Sequence, residues 1–198
     1  MNLSSWVRLV CAVAVVGLAV SLPSSSAAQT APAVAPAMPD VQALGPQPGT
    51  KVPDFSLRDQ SGTERTLGSL MGPKGLLLVF HRSADWCPYC KTQLAELQGR
   101  ASALARDGIN IAAVSYDPVP ILADFARRRG ITYPLLSDRG SAIIRQYGIL
   151  NTTIAPTNTR SYGIPFPGSF MLNRDGVVTA RFFEQAYQER VTVGTILA

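Results

Sequence analysis

The sequence predicts an α/β domain in which a central mixed sheet is covered by helices on both faces. Extended and helical patterns alternate along residues 50–198, as they do in such domains. Leu76–His81 reads LLLVFH, an apolar run that ends at a histidine and is typical of a strand buried on both faces. The next segment carries one apolar stripe at helical spacing, made up of Cys90, Leu94, Leu97, Ala101 and Leu104.

The remaining elements follow from turn residues and local patterns. Residues 53–67 predict an N-terminal β-hairpin that turns at Asp59–Gly62, and Asp107-Gly108 is expected to end the helix described above. Ile109–Tyr116 predicts a second strand, and Asp117 is expected to cap the helix that follows it. The later predictions are a short extended segment at 131–136, a short helix within 137–148, a second hairpin at 169–183, and a weak final helix within 187–198.

The first 28 residues are predicted to be a secretory signal peptide. Arg8 precedes the apolar run Leu9–Leu22, and the small residues Ser26 and Ala28 suit a cleavage site. The apolar run is shorter than the roughly 20 residues of a membrane-spanning helix, and an uncleaved membrane anchor is the alternative. We therefore expect a secreted protein, located in the periplasm of a bacterium.

The rest of the chain divides into a linker and one domain. Residues 29–49 are rich in alanine and proline and predict an extended linker, and residues 50–198 predict a single domain. Without residues 1–28 the chain keeps 17 basic and 13 acidic residues, a net charge of +4. The triplet Arg127–Arg129 is expected on a solvated helix face, and no nucleic-acid partner is predicted.

Two cysteines of the predicted domain lie in the motif Cys87-Pro88-Tyr89-Cys90, and the third, Cys11, lies in the signal segment. A disulfide across two residues restricts the unfolded chain little, which favours a chemical role for the pair. A helix N-terminus stabilises a thiolate, and Cys-x-x-Cys motifs have nucleophile pKa values of roughly 3.5–7.5. We expect Cys87 to be the attacking thiol and Cys90 the resolving thiol, with Trp86 and Tyr89 contacting a polypeptide substrate.

A metal site is not predicted, because tetrahedral zinc needs four ligands and the domain has two cysteines and His81. No cofactor is predicted either. His81 has two interpretations from the residues alone: a buried histidine at the end of a strand, or a proton acceptor that helps Cys90 to attack.

Several segments resemble the thioredoxin superfamily: VPDFSLRDQSGTERTL, LLLVFHRSADWCPYCKTQLAEL, VSYD, YPLLSDRGSAIIRQYGI and PGSFMLNRDGVV. More narrowly, the chain is similar to the redoxin branch, which comprises the alkyl hydroperoxide reductase/thiol-specific antioxidant (AhpC/TSA) family and its secreted disulfide-reductase relatives. The resemblance covers about residues 50–183 and implies a thioredoxin-like fold with a thioredoxin-type CPYC site.

The two branches of this resemblance imply different site residues. Peroxiredoxins carry a threonine three residues before the reactive cysteine and an arginine before the later strand, whereas this chain has Ala84 and Pro167 there. Thioredoxins have a cis-proline at the latter position, beside the Cys-x-x-Cys motif. The resemblance therefore implies a cis Phe166–Pro167 bond, substrate contact at Phe166, and a catalytic role for Pro167. His81 occupies the position where thioredoxins hold a buried acid.

The expected function is that of an extracytoplasmic thiol–disulfide oxidoreductase. Its expected partners are a protein thiol or disulfide and an electron donor that is membrane-bound or of thioredoxin type. The alternative is a peroxiredoxin-type thiol peroxidase using the same two cysteines. A copper-binding assembly factor is a third class, but those relatives use a three-residue cysteine gap and a downstream histidine that this chain lacks. Residues 151–167 predict either a lid beside the site or a plain connection.

Overall fold

A mixed sheet of seven strands is the centre of the fold in the computed structural model, which describes residues 37–186, 188–189 and 193–196. The predicted signal peptide and residues 29–36 of the predicted linker lie outside the described residues. The strands are β1 (Ser56–Asp59), β2 (Glu64–Thr66), β3 (Gly75–Phe80), β4 (Ile109–Ser115), β5 (Leu135–Ser137), β6 (Gly168–Asn173) and β7 (Val178–Phe183). Their order across the sheet is β2-β1-β5-β4-β3-β6-β7. Strands β3, β4 and β5 are parallel, and the other pairings are antiparallel.

The helices lie on both faces of the sheet, as predicted. They are α1 (Leu67–Leu70), α2 (Pro88–Arg106), α3 (Val119–Arg129), α4 (Ala142–Gln146) and α5 (Val193–Ile196). Leu94, Leu97 and Leu104 of α2 are buried, in agreement with the predicted apolar stripe, and so are Leu122, Phe125 and Ala126 of α3. Two residues of the basic triplet, Arg127 and Arg128, form ion pairs with Asp124 at 2.7 Å on the exposed side of α3.

Strand β3 separates the two hydrophobic clusters of the core. Leu76, Leu78 and Phe80 point into one cluster, which includes side chains of α1 and α4. Leu77 and Val79 point into the other, which includes α2 and α3. Because successive side chains of a strand point to opposite faces, a continuously apolar β3 buries both faces at once. All residues of β3 are buried. Packing on both faces therefore fixes the position of its carboxyl end, from which the chain continues toward α2.

The described part of the predicted linker packs against the domain. Val41 is buried in the first cluster and begins a turn of 3₁₀ helix, Val41–Ala43, capped by the Asp40 side chain. The Arg181 guanidinium donates to the carbonyls of Val41 (3.1 Å) and Leu44 (2.6 Å), and the backbone N–H of Gly49 donates to Val178 at 2.8 Å. The domain therefore begins before residue 50, because a short segment can be held by hydrogen bonds to β7 despite its lack of hydrophobic periodicity.

The two predicted hairpins are present, and each turns through a glycine at positive φ. In the first, the Gly62 N–H donates to the Asp59 carbonyl at 2.9 Å; in the second, the Gly176 N–H donates to the Asn173 carbonyl at 3.0 Å.

Within the described ranges, no helix has both the length and the apolarity needed to cross a membrane.

Candidate redox site

The two cysteines lie where the chain leaves β3 and enters α2. Cys87 is the N-cap residue of α2, with an extended backbone (φ −90°, ψ 104°), and Pro88 occupies the first turn, where its missing N–H is not needed. Cys90 lies one turn inside the helix. The two residues form a disulfide with a Cα–Cα distance of 5.3 Å, and the Cys90 N–H points to Cys87 Sγ at 3.3 Å. The sequence motif is thus a redox-capable pair at a helix N-terminus.

Both cysteines are buried in this oxidised state, whereas their neighbours are more accessible. Cys87 is 1% exposed and Cys90 is fully buried, whereas Tyr89 between them is 43% exposed. Trp86 is half-buried. A molecule that reaches the disulfide therefore encounters Tyr89 and Trp86 in its immediate surroundings.

Trp86 belongs to a group that we call the tryptophan cluster: Arg82, Trp86, Tyr116 and Arg160. The indole N–H donates to the Tyr116 hydroxyl at 2.8 Å, and that hydroxyl donates to the Arg160 carbonyl at 2.5 Å. The guanidinium carbons of Arg82 and Arg160 lie 5.0 and 5.8 Å from the indole ring centroid, within the range of cation–π attraction. Burial raises the pKa of Tyr116, which keeps its hydroxyl a donor. The cluster ties three separate segments together beside Cys87.

The long loop at residues 151–167 contacts this cluster through Arg160. The loop is also closed on itself, since the Asn151 N–H donates to the Ile164 carbonyl at 2.9 Å and the Tyr162 N–H to the Asn158 carbonyl at 2.8 Å. The Ser141 hydroxyl donates to the Gly163 carbonyl at 2.6 Å. The sequence did not decide whether this loop is a lid beside the site or a plain connection. In the structure the loop contacts Trp86, the residue before Cys87, through Arg160.

Replacing Tyr116 with phenylalanine is expected to loosen the contact between the loop and Trp86. The indole N–H loses its acceptor and the Arg160 carbonyl loses its donor, so the free energy of unfolding should fall by about 1–3 kcal/mol. In a Trp6→Phe background, Trp86 is the single tryptophan, and its fluorescence should become more accessible to quenching by iodide. Tyr162→Phe is the matched control, because Tyr162 is an exposed tyrosine of the same loop. Equal quenching in both variants would contradict this expectation.

Two predicted site residues lie at the ends of neighbouring strands. The antiparallel register pairs Phe80 of β3 with Gly168 of β6, so that His81 and Pro167 occupy the next position on each strand. His81 is fully buried, and its backbone N–H donates to the Val114 carbonyl at 3.0 Å. Pro167 is buried as well. The topology thus brings Pro167 to the strand edge from which the chain runs into Cys87, and the cis isomer of its peptide bond stays a prediction.

Phe166, which is predicted to contact the substrate, has a buried side chain, and the substrate contact stays a prediction. It is 3% exposed and packs in the first hydrophobic cluster, and its backbone N–H donates to the Ile149 carbonyl at 2.7 Å. Its side chain is therefore a core residue in this structure. The reason is the loop geometry, which turns residues 164–167 inward before β6 begins.

Asp117 does not cap α3, contrary to the prediction. The N-cap residue of α3 is Pro118, which makes no side-chain hydrogen bond to the helix. The Asp117 carboxylate instead accepts from the Ser83 hydroxyl (2.8 Å), the Ala84 N–H (2.7 Å) and the Ser115 hydroxyl (2.9 Å), and the residue is 4% exposed. The local sequence pattern favoured Asp117 as the N-cap of α3. In the fold, however, the end of β4 lies beside the chain that leaves β3, and that chain supplies the donors Ser83 and Ala84.

The stability of the protein should depend on pH through Asp117. Burial raises the pKa of this carboxyl above its ordinary value of 3.8, and the hydrogen bonds from Ala84, Ser83 and Ser115 offset only part of that increase. The folded state therefore holds the proton more tightly than the unfolded state does. The contribution of Asp117 to stability is complete below pH 3.8 and declines as the pH rises through the folded-state pKa.

The variant Asp117→Asn cannot ionise, so its stability relative to the parent should increase between about pH 4 and pH 7, measured by urea unfolding. Asp59→Asn is the control. Burial alone would raise the pKa of Asp59, but hydrogen bonds from Ser61, Arg65 and Thr63 lower it below 3.8. The stability that Asp59 contributes therefore changes with pH mainly below 3.8. The stability difference for Asp59→Asn should therefore stay nearly constant over the same range. A constant difference for Asp117→Asn as well would contradict the prediction.

Sequence reasoning missed three groups of this site: Asp117 as a partner of the turn before Cys87, Tyr116 as the bridge, and Arg160 as the loop contact. A signal was available, because polar residues at the carboxyl ends of adjacent parallel strands meet at one edge of a sheet.

Across the described residues, no three or more histidine, cysteine, aspartate or glutamate side chains are grouped so that they could hold a metal ion.

Comparisons with known proteins agree with the fold. The sequence profile of the AhpC/TSA family matches residues 48–181. Alkyl hydroperoxide reductase E of Mycobacterium tuberculosis is 33% identical over 138 residues, which cover 69% of this chain and 83% of that protein. Thiol-disulfide oxidoreductase ResA of Geobacillus thermodenitrificans is 28% identical over 131 residues, which cover 66% of each chain.

Among solved structures, Peroxidoxin BcpB from Mycobacterium tuberculosis is similar with a TM-score of 0.64 at 27% identity, covering 72% of this chain and 89% of that one. Such neighbours share the thioredoxin-like fold, with a mixed sheet between helices. The relatives are thiol-dependent oxidoreductases of two kinds, peroxiredoxins and thiol–disulfide oxidoreductases. This chain is an oxidoreductase of the thioredoxin superfamily and belongs to the AhpC/TSA family.

Proposed function

We propose that this protein is a thiol–disulfide oxidoreductase that acts on protein thiols or disulfides outside the cytoplasm. The observation that supports this most directly is the Cys87–Cys90 disulfide at the N-terminus of α2, with a Cα–Cα distance of 5.3 Å. The similarity to thiol-disulfide oxidoreductase ResA supports the same activity.

In the reducing direction, the Cys87 thiolate attacks one sulfur of a substrate disulfide. The other substrate sulfur leaves as a thiolate, and a mixed disulfide with Cys87 forms. The Cys90 thiolate then attacks Cys87 Sγ and releases the first substrate sulfur as the second thiolate. Two electrons have moved to the substrate, and the Cys87–Cys90 disulfide must be reduced again by an external dithiol. The oxidising direction reverses these steps.

The position of Cys87 suits the attacking role. As the N-cap residue, it lies beside backbone N–H groups that have no partner within the helix, and these groups stabilise a thiolate. Cys90 lies one turn inside α2, away from the unpartnered N–H groups at its N-terminus, and is bonded to Cys87 Sγ. The resolving role therefore belongs to Cys90.

Exposed aromatic surface near the pair favours a polypeptide partner. Tyr89 is 43% exposed between the cysteines, and Trp86 precedes them within the tryptophan cluster. Tyrosine and tryptophan are enriched where proteins contact one another. The electron donor that we propose is a thioredoxin-type or membrane-bound dithiol protein. The proposal of a location outside the cytoplasm is based on the signal-like pattern of residues 1–28.

A thiol peroxidase is the second candidate, and the 33% identity with alkyl hydroperoxide reductase E favours it. In that reaction a thiolate attacks the peroxide, an alcohol or water leaves, and the resulting sulfenic acid condenses with the second cysteine to a disulfide and water. Ala84 and Pro167 argue against this candidate. They stand where the resemblance implies the threonine and arginine of peroxiredoxins.

Two assays on one preparation separate the candidates. The first follows insulin disulfide reduction in the presence of dithiothreitol, and the second follows hydrogen peroxide consumption with the same reductant. Insulin reduction that requires Cys87, with peroxide consumption no faster than that of dithiothreitol alone, would support the oxidoreductase. Rapid peroxide turnover with weak insulin reduction would replace our proposal with the peroxidase.

A further inference from the structure

The turn that leads into Cys87 is fastened to the end of β4 through Asp117. One carboxylate oxygen accepts from the Ala84 N–H and the Ser115 hydroxyl, and the other accepts from the Ser83 hydroxyl. All three partners donate, as an ionised carboxylate requires. Ser83, Ala84 and Ser115 are fully buried, so water does not compete for these bonds.

The Ser83 hydroxyl extends this connection toward the cysteine. Its oxygen accepts from the Asp85 N–H at 3.0 Å and from the Trp86 N–H at 3.4 Å. Asp117 thus fixes Ala84 directly and fixes Asp85 and Trp86 through one serine. Trp86 is the residue immediately before Cys87.

Burying a carboxylate costs free energy unless hydrogen bonds replace those it made with water. Asp117 makes no side-chain bond to α3, the helix that begins two residues later. Its described side-chain contacts are with the end of β4 and the Ser83–Ala84 turn. The carboxylate therefore stabilises the turn before α2 and not α3, the helix that follows it in the sequence.

We propose that Asp117 is a positioning residue for the thiol chemistry of this site. Through Ser83 and Ala84, it holds the turn that places Cys87 Sγ at the N-terminus of α2. If the turn is loosened, the sulfur spends less time beside the N–H groups that stabilise a thiolate. The proton affinity of Cys87 then rises, and its attack near neutral pH slows. The inference rests on the proposed attacking role of Cys87.

The test is the pH dependence of Cys87 alkylation by iodoacetamide in the reduced protein. A full chain with Cys11→Ser and Cys90→Ser leaves Cys87 as its single thiol. Thiolate formation sets the pH of the half-maximal rate, so this value reports the Cys87 pKa separately from how accessible the sulfur is. Asp117→Ala, Asp117→Asn and Ser83→Ala are compared in this background. Asp59→Ala is the control, a buried aspartate whose side-chain hydrogen bonds stay within the β1–β2 hairpin.

We expect Asp117→Ala and Ser83→Ala to raise the Cys87 pKa by about one unit, which slows alkylation by about tenfold at pH values below the pKa of the parent. Asp117→Asn should recover part of this rate, because its amide oxygen can still accept from Ala84. Asp59→Ala should lower the unfolding midpoint and leave the pH profile unchanged.

Two results would overturn the inference. If the profiles of Asp117→Asn and Ser83→Ala match that of the parent and only their unfolding midpoints fall, Asp117 is merely structural. If the Cys87 pKa instead falls in both Asp117 variants, the carboxylate acts on the sulfur by direct charge repulsion and does not position it. Alkylation needs no natural substrate, so a failed insulin assay would refute the proposed function without affecting this result.

Discussion

Replacing Cys87 with serine is expected to abolish disulfide exchange, because the substrate sulfur then has no thiolate to bond with. The rate of insulin reduction should fall by about 10³-fold or more, the scale expected when the nucleophile of a covalent mechanism is removed. Cys11→Ser is the matched control, since it removes a cysteine outside the motif. Its rate should equal that of the parent.

Replacing Cys90 with serine should have a different consequence. Cys87 keeps its position at the N-terminus of α2 and can still attack, but the mixed disulfide that forms has no internal thiol to resolve it. We expect a covalent adduct with the substrate, detectable by mass spectrometry and released by dithiothreitol. An adduct on Cys90 in Cys87→Ser, with none in Cys90→Ser, would reverse the assigned roles.

The sequence predicted the parts of this site that depend on local chemistry. Cys87 and Cys90 could be recognised because their spacing matches one helical turn, and the apolar stripe through Leu94 and Leu97 indicated which side of α2 is buried. The continuous apolar run of β3 likewise indicated a central strand. In each case one segment contained all the information that the prediction needed.

The groups that sequence reasoning missed come from contacts between segments far apart in the chain. Tyr116 is 30 residues from Trp86 and 44 from Arg160, and Asp117 is 34 residues from Ser83. The local pattern at Asp117 fits an N-cap. Only the pairing of β3 with β4 shows that the carboxylate has better donors in the turn before Cys87. The burial of the Phe166 side chain also depends on distant segments, since it follows from how the loop returns to β6.

Replacing Phe170 with alanine is expected to be the most destabilising of these substitutions. Phe170 lies on β6 opposite Leu78 and is fully buried. Its ring centroid lies 5.2 Å from that of Phe183, 6.0 Å from that of Phe80 and 6.1 Å from that of Tyr147. Aromatic pairs at these distances add to the free energy that burial alone provides. The cavity and the lost ring contacts should lower the free energy of unfolding by about 3–5 kcal/mol.

This loss would be a large part of the roughly 5–15 kcal/mol that stabilises a typical domain. Phe182→Ala, on the adjacent strand, is the control, because Phe182 is only half-buried and packs on the opposite face of the sheet. Its loss should be about 1–2 kcal/mol. The two urea midpoints decide whether the rings on the Phe170 side hold β3 and β6 together. Since Phe80 and Gly168 are paired just before His81 and just after Pro167, equal losses would mean that the site edge of the sheet is anchored by something other than these rings.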